Sequence, residues 1–178
     1  MSVLTEARTE LPSGTWVLDP VHSTIGFELP YLAGIFRGHF RDVDAKLSGE
    51  SLRGSARVAS VDVKDENLAA HLQSPEFFDV ERFPELTFSS DSVERSGGEL
   101  TVRGDITIRG VTKPVVLTGT ITDVQTDAFG TDRVNAKLET TVDRTEFGLN
   151  WNAPLPNGDP ALQNEVKLVS ELYFVREA

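Results

Sequence analysis

The chain has 178 residues and no cysteine, which excludes disulfides, thiolate nucleophiles, zinc ribbons and iron–sulfur clusters by inventory. Seventeen basic against twenty-eight acidic residues give a formal charge of −11, so a phosphate backbone or an anionic membrane surface is repelled and nucleic acid is excluded as an expected partner. Folding at this length buries enough surface for one domain with a real core, and no apolar run approaches the roughly 20 residues of a membrane-spanning helix.

Residues 1–13 carry Glu6, Arg8, Glu10 and Pro12 and lack the basic start and apolar core of a secretory signal. They are expected to form a flexible extension ahead of one domain at 14–178, in a protein of the cytoplasm. Beyond them most of the chain alternates with a period of two, the mark of strands with one buried and one wet face. Strands are expected at 23–29, 36–47 and 52–63.

The run from Asp65 to Leu72 breaks this rhythm: acidic residues open it and apolar residues follow at helical spacing, which predicts a short helix. Pro75 suits a first helical position, so the helical segment is expected to continue over about 66–79. Alternation then resumes at 86–93. The clearest strand places Leu100, Val102, Ile106 and Ile108 on one face, with Thr101, Arg103, Asp105, Thr107 and Arg109 on the other. Val115, Leu117 and Ile121, then Val134, Ala136, Leu138 and Val142, then Val166, Leu168, Leu172 and Phe174 repeat the pattern.

Turn sequences such as Ser48-Gly49-Glu50 and Ser96-Gly97-Gly98 separate about eight strands. An all-β antiparallel barrel or sandwich with a helical cap or plug follows, and closure into a barrel would remove the edges on which long strands aggregate. At about eight strands a barrel either fills with side chains or holds one slender ligand, and alternation does not choose between these.

Little conventional catalytic chemistry is visible. His22, His39 and His71 have no metal-ligand spacing, and nucleophile-elbow, phosphate-loop and dinucleotide motifs are absent. Ser23 and His22 are adjacent on a strand and so point to opposite faces. Arg144 has two readings: it holds a ligand's head group, or it pairs with Asp143 or Glu146. The aromatics Phe27, Phe36, Phe40, Phe77, Phe78, Phe83, Phe88, Phe147 and Trp151 either line a cavity or form ordinary core.

Several runs together resemble the YceI-like family, a lipocalin-like group that binds polyisoprenoids. The run Trp16 to Phe27 is similar to its first signature, and Gly38-His39-Phe40 to its Gly-x-Phe element. The most specific stretch is His71-Leu72-Gln73-Ser74-Pro75-Glu76-Phe77-Phe78-Asp79 followed by Phe83-Pro84-Glu85-Leu86-Thr87-Phe88. Later runs, Gly104 to Pro114 and Asp143 to Leu149, match as well, so the resemblance covers about residues 14–175. Where the family often carries a histidine after its first strand, this sequence has Pro30-Tyr31-Leu32.

The resemblance implies an elongated eight-stranded antiparallel barrel whose apolar pore holds an isoprenoid chain of quinone or polyprenyl type, commonly as a homodimer. It implies a binding protein that stores or transports its lipid, with no catalytic residue, no metal and no other cofactor. Combining alternation with the motif positions, the ligand-binding face is expected to be Ile25, Phe27, Phe40, Phe88, Ile106, Ile108, Leu138 and Val142. The helical segment adds Leu68, Leu72, Phe77 and Phe78, with Phe147 and Trp151 at the mouth. His22 and Arg144 are the head-group candidates. Two alternatives stand beside this reading: an enzyme that acts on an apolar substrate in the same cavity, and a fully packed structural or stress-response barrel.

Overall fold

The computed structural model describes residues 10–177. Its elements in chain order are β1 (Thr15–Leu18), β2 (Thr24–Tyr31), β3 (Gly34–Phe40), β4 (Val43–Ser48), β5 (Ser51–Arg57) and β6 (Val61–Asp62), followed by helix α1 (Glu66–Gln73). After the helix come β7 (Glu85–Ser96), β8 (Glu99–Ile108), β9 (Val111–Ile121), β10 (Gln125–Thr126), β11 (Asp132–Asp143) and β12 (Glu165–Arg176).

Every strand pairing is antiparallel, and the sheet closes on itself. β12 pairs along its whole length with β11 on one edge, from Arg133↔Val175 to Asp143↔Glu165. On the other edge it pairs first with β2 and then with β1. β1 with β2, β3 with β4, and β5 with β6 therefore form three bent staves, and the barrel has eight staves in up-and-down order. The expected single strands at 36–47 and 52–63 are each broken in two.

The breaks are satisfied locally, which is why they persist. Where β1 gives way to β2, Asp19 N–H donates to Tyr173 O (2.7 Å) and Tyr173 N–H donates to Ser23 Oγ (2.9 Å). The side chain of Asp19 accepts from Val21 N–H (3.0 Å), from Arg133 Nη1 (3.1 Å) and from His22, and so ties the corner to β11. At the next break Arg41 N–H donates to Ser60 O and Arg57 N–H to Asp42 O.

Asp65 caps α1 by accepting from Leu68 N–H at 2.9 Å. The helix stops at Gln73, short of the expected 79. Pro75 disfavours helical geometry at the residue before it, and Ser74 is extended (ψ 166°), with both its N–H and its Oγ donating to His71 O. Residues 74–80 instead fold into a compact turn in which Phe78 N–H donates to Leu72 O and Val80 N–H to Gln73 O, both at 2.9 Å.

One end of the barrel is solid. Trp16 and Val102 are fully buried, and Val134 and Phe174 are 1% exposed. The Trp16 indole donates to Ser13 O (3.2 Å), and the Arg176 guanidinium lies 4.4 Å from the ring centre, so the floor is sealed by packing, a hydrogen bond and a cation–π contact. Of the extension expected at 1–13, residues 1–9 lie outside the described residues. Residues 10–13 run against this end: Leu11 packs on the core, and Arg95 Nη1 donates to Glu10 O at 3.5 Å.

Candidate ligand cavity

The opposite end is hollow. An outer chamber of about 340 Å³ lies beneath α1 and the turn after it, and an inner chamber of about 130 Å³ reaches toward the middle of the barrel. The outer volume is at the lower end of the 300–1,000 Å³ typical of small-molecule sites. The interior is therefore not completely filled by side chains.

Strand residues on the inward face build the walls. Phe27 of β2, Phe40 of β3, Ile108 of β8 and Val142 of β11 line the outer chamber. Leu68 and Leu72, four apart on one face of α1, close it from above. Phe77 and Phe78 enter from the turn, where Phe78 stands edge-on to Phe40 (centroids 5.9 Å, 71°) and 6.5 Å from Phe27. Phe147 and Trp151 complete the wall from the segment between β11 and β12. Ile25, Phe88, Ile106 and Leu138 line the inner chamber, with Phe40 and Ile108 shared by both.

Arg144 borders the outer chamber at 5% exposure. It pairs with neither Asp143 nor Glu146. Its Nε donates to Gln163 O (3.0 Å), and its Nη1 donates to Leu149 O (2.6 Å) and Trp151 O (2.8 Å). Burial pushes the guanidinium below its ordinary pKa, with Asp143 opposing the shift, but an arginine so placed remains a cation. None of the hydrogen bonds among the described residues uses Nη2. The Asp143 carboxylate is occupied instead by the Thr145 hydroxyl and N–H, which hold its pKa down.

His22 does not line either chamber. Its side chain is 62% exposed at the outer corner between β1 and β2, with Nδ1 2.6 Å from Asp19 Oδ2. The head-group assignment is corrected accordingly: the Asp19 carboxylate that organises the corner also holds this ring outside the barrel. The histidine on the cavity wall is His71, in α1. Its Nε2 lies 2.5 Å from Glu76 Oε2 and donates to that carboxylate, while its ring meets Phe77 (4.9 Å) and Trp151 (4.8 Å) edge-on. His71 was within the most specific motif, but periodicity does not reveal which face of a short helix is roofed by a distant loop.

The other wall residues missed in the sequence have clearer signals. Leu29 and Tyr31 continue the alternation of Ile25 and Phe27 along β2, and Leu168 that of Val166 along β12. Leu149 and Leu162 lie outside strands and carry no periodic signal. Three polar side chains fix that irregular rim. Arg144 gathers three carbonyls, Asn152 Oδ1 accepts from Ala153 N–H and Leu162 N–H (both 2.9 Å), and Arg109 spans Pro75 O (2.9 Å) and Gly148 O (3.3 Å).

The outer chamber thus offers an apolar channel with Tyr31, His71 and Arg144 as the titratable side chains on its wall. Among the described residues no group of three or more histidines and carboxylates could hold a metal ion, and no helix is long and apolar enough to cross a membrane.

Known proteins share this construction. Residues 16–174 match the model of the YceI-like domain. A UPF0312 protein of Pseudomonas putida is 32% identical over 137 residues, covering 72% of this chain and 71% of that protein. Protein YceI of Salmonella newport is 30% identical over 164 residues, covering 88% and 83%. Two solved structures share the fold at lower identity. BcnA of Burkholderia cenocepacia superposes with a TM-score of 0.73 at 21% identity, covering 88% of this chain and 98% of that one. A polyisoprenoid binding domain from Saccharophagus degradans superposes with a TM-score of 0.72 at 12% identity, covering 91% and 98%. Barrel, motifs and relatives agree, and the chain belongs to the YceI-like family.

Proposed function

We propose that this protein binds a long isoprenoid-type lipid, of quinone or polyprenyl class, inside its barrel and stores or transports it without transforming it. The apolar, blind-ended chamber that opens under α1 carries this reading. Each methylene removed from water contributes about 0.8 kcal/mol, so a chain of a few isoprene units offsets the cost of association with few polar contacts. The polyisoprenoid binding domain of Saccharophagus degradans, alike in fold, supports it.

In this reading the lipid tail points to the sealed floor and the head group stays at the rim. Arg144 through Nη2, His71 and Tyr31 supply the polar contacts there, in place of His22. The remaining terms of the proposal are a cytoplasmic location and a homodimer. Tyr31, Leu32 and Ile35, exposed by 46%, 63% and 54% in the β2–β3 hairpin, offer a second copy an apolar face beside the mouth. Cell fractionation tests the location, and sedimentation of the wild type against Leu32→Asp tests the dimer.

The experiment for the ligand is mass spectrometry of the solvent extract from natively purified protein, paired with native mass spectrometry of the intact complex. A stoichiometric isoprenoid is the expected result. A protein that comes out empty and also refuses added polyprenyl lipids sinks the reading.

A further inference from the structure

The two chambers are separated by a ring rather than a wall. Phe40 of β3, Leu86 of β7, Ile108 of β8 and Leu168 of β12 line both, so four strands around the circumference contribute one apolar side chain each at the level where the chambers meet. Below that level the barrel is open for a specific reason. Ala45 and Gly54 face each other across β4 and β5, and Ala56 lies two residues beyond Gly54 on the same inward face. An eight-stranded barrel is just wide enough for its inward side chains to fill it or for one slender ligand, and here three neighbouring positions carry almost no side chain. Gly54 is not required by backbone geometry. A Cβ there would meet only Asp44 O at 3.5 Å and the Ala45 Cβ at 3.8 Å, which are ordinary contacts, and its φ is not in the left-handed region.

We propose that the inner chamber is a separate subsite for the far end of the lipid tail, and that the small residues Ala45, Gly54 and Ala56 make this protein select long chains over short ones. The inference rests on the isoprenoid-binding reading. A short tail ends in the outer chamber, above the ring, and gains nothing from the space below. A longer tail passes between Phe40, Leu86, Ile108 and Leu168 and buries its last methylenes in the inner chamber. Discrimination by length then follows from volume at the bottom of the site, independently of the head group at the rim.

The test is competition between farnesol and solanesol, two isoprenols with the same hydroxyl head, read by native mass spectrometry as the ratio of bound species. The variant is Gly54→Val, which places a branched side chain in the inner chamber and suits a strand. Ala45→Leu, from the facing strand, is the second filler, and circular dichroism confirms that each variant is folded. Displacing about two methylenes of tail from the chamber is worth about a tenfold change in relative affinity. The expected result is a shift of at least that size toward farnesol in both variants, with farnesol affinity itself held within about twofold. An unchanged ratio in either folded variant, or an equal loss of both ligands, overturns the subsite and leaves lipid binding standing. Wild-type protein that takes up neither isoprenol overturns the binding reading and the subsite with it.

Discussion

Arg144→Met isolates what holds the mouth together. Methionine keeps the apolar stem of the side chain, though it is shorter, and removes the donors to Gln163 O, Leu149 O and Trp151 O. Hydrogen bonds from a charged donor contribute about 1.5–3 kcal/mol each, and a buried carbonyl left unpaired costs about 1–3 kcal/mol. The Leu149 bond is buried, while the other two are partly buried and their carbonyls recover water. Losing the cation also removes its desolvation cost, so the net loss expected is about 3 kcal/mol, a large part of a typical 5–15 kcal/mol stability. In urea at neutral pH, with a slope of about 2 kcal/mol per molar, the midpoint falls by about 1.5 M. Arg144→Lys restores less than half of this, because an ammonium cannot reproduce the planar fork that reaches three carbonyls. A midpoint within about 0.3 M of wild type would show that Arg144 does not organise the rim.

Ile108→Glu places a carboxylate in the ring shared by both chambers and is expected to abolish lipid uptake by folded protein, because a buried unpaired charge is not tolerated beside a hydrocarbon chain. Retained lipid in that variant, measured in the solvent extract, would show that this face is not the binding face. Gly119→Ala is expected to lower the thermal midpoint sharply, since a Cβ on β9 would overlap the Lys137 carbonyl across the sheet; a calorimetric scan that superposes on wild type contradicts the register there. Hydrogen bonds from Arg133, Thr131 N–H and Phe129 N–H hold the Asp127 carboxyl below its ordinary value near 3.8. A depressed carboxylate stabilises the fold above that value and stops doing so as pH falls through its lower folded value. Stability is therefore expected to drop below about pH 4, with a shallower acid limb in Asp127→Asn, as read by denaturation midpoints between neutral pH and pH 2.

Much of the fold was legible because its signal is local. Leu100, Val102 and Ile108 on β8, and Val134, Ala136 and Leu138 on β11, are buried as their alternation requires, since a strand of period two with one dry face cannot arrange them otherwise. The bends at residues 41–42 and 58–60 shift the buried register by one, from Phe40 to Val43 and from Val58 to Val61; this phase change is a local signal that an expectation of single strands over 36–47 and 52–63 passes over, and cross-strand bonds such as Arg57 N–H to Asp42 O fix the break. The end of α1 has a local cause in Pro75, but a proline also suits a first helical position, so the residue alone is ambiguous; the Ser74 bonds to His71 O decide the question.

The site divides in the same way. Sequence by itself determined the antiparallel strands and, through its motifs, the family and the closed barrel that the family implies, because hydrophobic period and motif order are properties of neighbouring residues. Tertiary structure alone decided which histidine reaches the cavity: Asp19 holds His22 outside, while the roof of Phe77 and Trp151 places His71 on the wall. It also decided that the barrel is hollow. Empty space depends on which side chains face each other across strands, as Ala45 and Gly54 do here, and that register is set by pairing between segments, not by the order of residues within one.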